Sequence, residues 1–191
     1  CRNNTGPACV VANVFNDGTV SLLEGSVDIG GSRSAIAQQL AEVLGIPVED
    51  VHPSIGDTDE IGFTSPTGGS SVAYKSGIAA YEAALDVCEQ LTKRAAILWE
   101  VDEGEVEYVD GLVRHKSDPE LSLTFKEMAA KMPETGGPVV GTANVNPTRS
   151  GASYSAHLVD VEVDPETGKV DILRFTAFQD VGKAIHPSYV E

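Results

Sequence analysis

The chain has 191 residues, which is enough for one large or two small domains with a hydrophobic core. Hydrophobic residues make up 41% and charged residues 22% of it, and no apolar run approaches the roughly 20 residues that a membrane-spanning helix needs. Lys and Arg number 13 against 29 Asp and Glu, for a net charge of −16. Because a nucleic-acid partner requires a basic surface, this balance excludes one. The composition predicts a globular protein that binds neither membrane nor nucleic acid.

The first elements predicted along the chain are a hairpin, a helix and a short strand. Residues 8–16 and 19–27 are rich in strand-forming side chains, and Asp17-Gly18 lies between them as a strong hairpin signal. A helix that ends at Gly45 follows, since these apolar residues recur at helical spacing: Ile36, Leu40, Val43 and Leu44. Residues 51–55 are predicted to form a short strand.

A long loop and a long helix come next. Residues 56–69 are rich in turn formers and lack periodicity, which is typical of a functional or disordered loop. From Ser70 a helix is predicted to pack along most of its length, on a stripe of residues three or four apart: Ile78, Tyr81, Leu85, Cys88, Leu91, Ala95 and Leu98.

The remaining elements are two hairpins separated by a helix and a linker. Hairpins are predicted at residues 100–114 and 154–178, with a short helix near 125–132 between them. Strands and helices are partly segregated, so the fold class is α+β, with antiparallel or mixed sheets and one long and one medium packed helix. Residues 134–150, rich in Gly, Pro and Asn, are predicted to be a linker or boundary between 1–133 and 151–191.

Cysteine usage indicates the cellular compartment. Cys1, Cys9 and Cys88 are odd in number and show no CxxC spacing, which argues against a disulfide framework, a zinc site or an iron–sulfur cluster in this segment. The four histidines are scattered without a metal-binding motif. A reducing, cytoplasmic location is the resulting prediction.

Two segments, residues 26–34 and 64–71, each place Gly-Gly-Ser directly before a predicted helix. Glycine allows close approach to a ligand, and a helix N-terminus offers unpaired N–H groups to an anion. Two such loops suit a bulky anionic ligand such as a phosphorylated cofactor, and Arg33 and Lys75 are expected to add positive charge. The alternative is structural, because Ser is an ordinary N-cap and Gly-Gly an ordinary turn. Neither loop matches a Walker or GxGxxG motif.

The ordered series of segments carries more information than either loop. SVDIGGSRSAIAQQLAEVLGIPVEDV, then GDTD, then TSPTGGSSVAYKSGIAAYEAA resemble the molybdopterin-binding large subunit of the xanthine dehydrogenase and aldehyde oxidase family, the molybdenum hydroxylases. The tail HLVDVEVDPETGKVDILRFTAFQDVGKAIHPSYVE resembles that family's later strand pair and DVGxAINP turn. Together these segments cover most of residues 8–191.

This resemblance implies a molybdenum–pterin cofactor, in some members the cytosine dinucleotide form. It also implies an oxidoreductase that hydroxylates a small molecule, an aldehyde or an N-heterocycle, with oxygen from water. Iron–sulfur clusters and FAD are expected on other domains or subunits of an oligomeric parent enzyme. By the same resemblance, residues 1–133 are a first cofactor-binding segment and residues 151–191 begin a second.

Eight residues match the family's two pterin loops and are the predicted cofactor-binding site: Gly30, Gly31, Ser32, Thr67, Gly68, Gly69, Ser70 and Ser71. The first loop lacks the Gln of the family's frequent Gly-Gln-Gly form, so contact through the backbone is expected there. The family's catalytic glutamate lies in a later motif that Glu191 does not match. We therefore expect a fragment without catalytic or metal-ligating residues of its own, inactive alone. The alternative is a freestanding, non-catalytic α+β binding or scaffold module.

Overall fold

A computed structural model describes residues 4–149 and 151–190, without the side chain of Tyr189. It has the predicted α+β class. The strands are β1 Ala8–Val14, β2 Val20–Glu24, β3 Val51–Ile55, β4 Val106–Val109, β5 Leu112–His115, β6 Ser122–Thr124, β7 Val139–Val145, β8 Tyr154–Val163 and β9 Val170–Asp180. The helices are α1 Ser32–Leu44, α2 Val72–Trp99, α3 Phe125–Ala130, α4 Met132–Thr135 and α5 Pro187–Val190, with short 3₁₀ turns at Val48–Asp50 and Glu103–Glu105.

The main sheet has the strand order β3-β2-β1-β7. β1 and β2 form the predicted antiparallel hairpin, whose turn is closed by the Thr19 N–H donating to Asp17 Oδ1 at 2.9 Å. β3 pairs parallel to β2 after the chain has passed through α1. The inward residues of the two central strands alternate with outward ones and are buried under α1 and α2: Val10, Ala12, Val14, Val20 and Leu22.

β7 corrects one expectation from the sequence. Residues 139–145 lie inside the predicted linker, yet they pair with β1 over its whole length, from Val14↔Val139 to Ala8↔Val145. Gly141 is required at this place because a Cβ there would overlap the carbonyl oxygen of Ala83 on α2. Glycine therefore marks close packing of a helix on the strand, where composition alone suggested a linker. The division of the chain into two parts near here stays a prediction.

α2 is packed along most of its length as predicted, and Cys88, Leu91 and Ala95 of the predicted stripe are buried, but its first half buries a different face. Tyr81 is 48% and Leu85 41% exposed, although both belong to the predicted stripe. Small residues dominate the buried face instead: Ala79, Ala80, Ala83, Ala84, Val87, Cys88, Leu91, Ala95 and Ala96. Their size lets α1 and the main sheet approach the helix on two sides, which leaves the larger side chains at the margin.

A small sheet of order β4-β5-β6 closes the other end of the core. It is tied to the end of α1 by the Tyr108 hydroxyl, which donates to the Leu44 carbonyl at 2.6 Å. β6 then leads directly into α3, whose N-cap Thr124 forms a reciprocal capping box with Glu127. The short helix predicted near 125–132 is present as α3, and the chain continues through Lys131 into a second short helix, α4.

β8 and β9 form the predicted C-terminal hairpin as a separate two-stranded ribbon. Most of its residues are exposed, including Leu158 at 59% and Phe175 at 57%. After the ribbon the chain returns to α1, where Lys183 Nζ lies 3.0 Å from Glu42 Oε1. Among residues 4–149 and 151–190, no helix combines the length and apolar character needed to cross a membrane.

Candidate functional site

The two glycine loops line one cavity of about 510 Å³ between the starts of α1 and α2. All eight residues predicted from the sequence lie on its wall. Three lining residues were missed, because each is an ordinary apolar neighbour of a loop: Ile29, Val72 and Ala73. Among the described residues, none that lines the cavity carries a charged side chain, so they offer backbone groups, hydroxyl groups and small apolar surface to a ligand.

Contacts between α1 and α2 hold the two loops side by side. The buried hydroxyls of Ser26 and Ser76 lie 2.9 Å apart and join the first loop to the second helix. Gln39 Nε2 donates to the Ala73 carbonyl at 3.2 Å, which joins α1 to the first turn of α2. A Cβ at Gly77 would overlap the Gln39 side chain, so the helices need glycine where this bridge crosses.

In the first loop, the Asp28 carboxylate binds backbone N–H groups at the start of α1. Asp28 Oδ1 accepts the backbone N–H groups of Gly30 at 2.9 Å and Ser32 at 3.0 Å, and Asp28 Oδ2 accepts Arg33 Nε at 2.8 Å. The Arg33 guanidinium, followed by these backbone donors, holds the pKa of Asp28 well below its usual range. Part of the α1 N-terminus is therefore already capped by a carboxylate, and Arg33 is neutralised by its ion pair with Asp28.

The second loop has no such carboxylate. Gly69 and Ser70 both adopt left-handed backbone, with φ of 59° and 56°, and the N-cap residue Ser71 makes no side-chain capping hydrogen bond to α2 within the described residues. The Ser71 side chain is buried, and its Oγ has no hydrogen-bond partner among residues 4–149 and 151–190. A buried hydroxyl without a hydrogen-bond partner destabilises a fold unless a ligand or water binds it. The second loop therefore contains a polar group that the fold itself leaves unsatisfied.

The rear of the second loop is fixed from both sides. The Cys9 N–H donates to Thr64 Oγ1 at 3.1 Å, and the Ser65 N–H donates to the Pro7 carbonyl at 2.9 Å. Lys75 is fully buried, and its ammonium group donates to Ser65 O, Ser65 Oγ and the Pro66 carbonyl. Lys75, expected from the sequence to add positive charge near the loops, therefore lies behind the second loop and does not line the cavity.

Glu24, at the end of β2, is a buried acid that sequence reasoning missed. Its side chain is 0% exposed, and neither carboxylate oxygen has a hydrogen-bond partner among the residues that the structure describes. Burial, followed by the nearby charge of Asp28, raises the pKa of Glu24 to about 7. The strand alternation contained the signal, because Glu24 occupies the same inward register as Val20 and Leu22.

The donor set of the cavity suits a phosphorylated pterin better than a bare metal ion. Backbone N–H groups at helix starts and uncharged hydroxyls can hold a phosphate, and Gly68 leaves open space, with no atom within 4 Å of a Cβ placed there. Within the described ranges, no three His, Cys, Asp or Glu side chains are arranged to hold a metal ion. These residues therefore fit the pterin and phosphate part of a metal cofactor.

The fold and this uncharged two-loop cavity define an α+β cofactor-binding domain. The family model of the molybdopterin cofactor-binding domain matches residues 2–191. The chain therefore belongs to this family, which confirms the resemblance to the xanthine dehydrogenase and aldehyde oxidase type and favours it over a freestanding scaffold module.

Two curated relatives match almost the whole chain. The xanthine dehydrogenase molybdenum-binding subunit of Escherichia coli O157:H7 is 30% identical over 181 residues, covering 92% of this chain and 24% of the relative. The xanthine dehydrogenase of Drosophila pseudoobscura pseudoobscura is 33% identical over 187 residues, covering 95% of this chain and 13% of the relative. The chain thus spans about a quarter or less of the length of these relatives.

Solved structures show the same architecture. The CO dehydrogenase of Oligotropha carboxidovorans superposes with a TM-score of 0.80 at 25% identity, over 97% of this chain and 24% of the other. Quinoline 2-oxidoreductase from Pseudomonas putida 86 superposes with a TM-score of 0.79 at 24% identity, over 98% of this chain and 25% of the other. The second likeness concerns the fold alone.

Proposed function

We propose that the two-loop cavity holds the pterin and phosphate part of the molybdenum cofactor. The residues in contact are the eight predicted from the sequence: Gly30, Gly31, Ser32, Thr67, Gly68, Gly69, Ser70 and Ser71. The observation that carries this proposal is their convergence on one cavity whose described lining residues bear no charged side chain. When bound, the cofactor supplies the redox chemistry of the metal, while these residues bind and orient it.

The parent protein is, by this proposal, a molybdenum hydroxylase that oxidises an aldehyde or an N-heterocycle with oxygen from water. Matches to xanthine dehydrogenase and CO dehydrogenase relatives support this class of reaction. We extend it to the cytosine dinucleotide form of the cofactor, to iron–sulfur and FAD domains or subunits as electron acceptors, and to an oligomeric, cytoplasmic enzyme. Residues 1–133 and 151–191 would then be parts of two successive cofactor-binding segments.

Gly68 offers the sharpest test of the cavity. Its backbone is not left-handed and a Cβ there meets nothing, so Gly68→Phe places a ring at the cavity without straining the loop. Gly69 is a poorer probe, because its φ is 59° and a Cβ would overlap the Asn4 side chain. Gly68→Phe in the full-length protein should weaken cofactor binding about tenfold or more, where each factor of ten is worth about 1.4 kcal/mol, and so lower the molybdenum and pterin content.

The matched control is Gly104→Phe. Gly104 is exposed in a 3₁₀ turn outside the cavity, and a Cβ there also meets nothing. Its cofactor content should equal that of the unchanged protein, and both variants should keep their thermal stability within about 0.5 kcal/mol. Full molybdenum content in purified Gly68→Phe would contradict the assignment of the cavity.

A further inference from the structure

We infer that Lys75 is a positioning residue for the second glycine loop: its buried ammonium group holds residues 65–66 from behind, and its uncompensated charge favours an anion at residues 67–71. This inference deepens the proposed function and rests on it. The Lys75 side chain does not line the cavity, although its backbone N–H donates to the Ser71 carbonyl at 2.8 Å, so its ammonium group acts through residues 65–66 and through its electrostatic field.

The geometry shows a complete set of contacts to one short segment. Lys75 Nζ donates to Ser65 O at 2.6 Å, to Ser65 Oγ at 2.6 Å and to Pro66 O at 3.0 Å. An ammonium group has three N–H donors, so every donor of Lys75 is directed at this segment. The Ser65 N–H is held from the other side by the Pro7 carbonyl. The segment that leads into Thr67 is thereby clamped between the start of β1 and the first turn of α2.

The charge of Lys75 lacks a partner of opposite sign. None of the ion pairs among residues 4–149 and 151–190 includes it, and burial lowers the pKa of its ammonium group. Arg33 at the first loop differs, because Asp28 neutralises it. A buried cation without a counterion is unfavourable. An anion held at residues 67–71, about one helical turn away, offsets part of that cost by Coulomb attraction.

The experiment uses the full-length protein with Lys75→Met, Lys75→Gln and a control on the same helix. Arg94→Met is the matched control, because Arg94 also donates to a main-chain carbonyl, that of Thr135, but 19 residues further along α2. Hydrogen exchange of the amides of residues 64–71 is measured by mass spectrometry on cofactor-free protein. Molybdenum content and thermal stability are measured on the same preparations.

Lys75→Met should raise amide exchange at residues 64–71 about tenfold or more and lower molybdenum content by a similar factor, while amide exchange elsewhere in the chain stays the same. Lys75→Gln retains two donors without charge, so it should restore part of the slow exchange but not the full molybdenum content. Arg94→Met should change neither quantity. Global destabilisation alone would lower the melting temperature and spread faster exchange beyond the loop.

Unchanged exchange at residues 64–71 in Lys75→Met would overturn the positioning role. Full molybdenum content in a Lys75→Gln protein would overturn the role of the charge. If Lys75→Met does not accumulate as folded protein, the comparison of Lys75→Gln with Arg94→Met decides both points. Absence of molybdenum from the unchanged, properly matured protein would refute the proposed function instead, and the exchange measurement on cofactor-free protein would still decide whether Lys75 positions the loop.

Discussion

Glu24 gives the domain a stability that falls as pH rises, and Glu24→Gln should remove this dependence. The carboxyl group is fully buried without a hydrogen-bond partner, and burial raises its pKa to about 7 from an ordinary value of 4.5. Between these two values the folded chain keeps a proton that the unfolded chain has released. The folded state therefore becomes less favourable as pH rises from about 4.5 to about 7, and the penalty is complete above that window.

The pKa difference sets the size of the effect. A difference of about 2.5, from 4.5 to about 7, corresponds to about 3 kcal/mol because each unit is worth about 1.4 kcal/mol. Gln preserves the volume of the side chain and its lack of partners while removing the ionisation. At pH 8, Glu24→Gln should therefore be more stable by about 3 kcal/mol, whereas at pH 4 the two proteins should agree within about 0.5 kcal/mol.

Urea unfolding of the 191-residue chain, followed by far-ultraviolet circular dichroism at pH 4 and pH 8, measures this difference. Glu42→Gln is the control, since the Glu42 side chain is 72% exposed and its ion pair with Lys183 lies at the surface. That substitution should change the unfolding free energy by about 0.5 kcal/mol or less. A Glu24→Gln difference that is equal at both pH values would refute the reasoning.

Two further substitutions test how the elements are held. Gly141→Ala should lower the unfolding free energy by about 1–3 kcal/mol, because its Cβ would overlap the Ala83 carbonyl where β7 packs on α2. Gly104→Ala is the control, since a Cβ at Gly104 lies in open space. Equal stability of the two variants would contradict the packing argument. Thr124→Ala should lower the unfolding free energy by about 1 kcal/mol, because it removes the capping box at the start of α3. Thr124→Ser keeps the hydroxyl group and should leave the unfolding free energy unchanged. An unchanged unfolding free energy of Thr124→Ala in urea would exclude the cap as a source of stability.

Local patterns predicted most of the elements because those elements depend on neighbouring residues. Asp17-Gly18 correctly located the first hairpin, and Gly45 correctly ended α1. The pattern failed where long-range packing decides. β7 contains strand-forming Val139, Val140, Thr142 and Val145, but the Gly, Pro and Asn residues in and around it indicated a linker, whereas Gly141 lies where α2 packs on the strand. On α2 the alanine-rich face was overlooked, because the larger side chains gave a clearer apolar stripe than the small ones that are buried.

The residues of the cavity wall could be predicted, but their supports could not. Glycine and hydroxyl residues before a helix have a local meaning, so both loops were found from the sequence. The supporting side chains act across distances that spacing does not reveal, as Ser26 does through its contact with Ser76, 50 residues away. Lys75 was predicted near the site for its charge, yet a basic residue on an amphipathic helix is ordinarily solvent-exposed, so its burial could not be foreseen.

The two Gly-Gly-Ser loops look equivalent in sequence but differ in electrostatics. At the first loop, Asp28 already accepts two backbone N–H groups and compensates Arg33, so a second anion would meet a carboxylate in place. At the second, within the part of the chain that the structure describes, the N-cap Ser71 makes no capping hydrogen bond and Lys75 belongs to none of the ion pairs. An anionic group consequently gains more at the second loop than at the first, even though the chain carries a net charge of −16. The positions of the buried Lys75 ammonium group and of the Asp28 carboxylate, which accepts N–H groups of its own loop, can thus decide where an anion binds in an acidic protein.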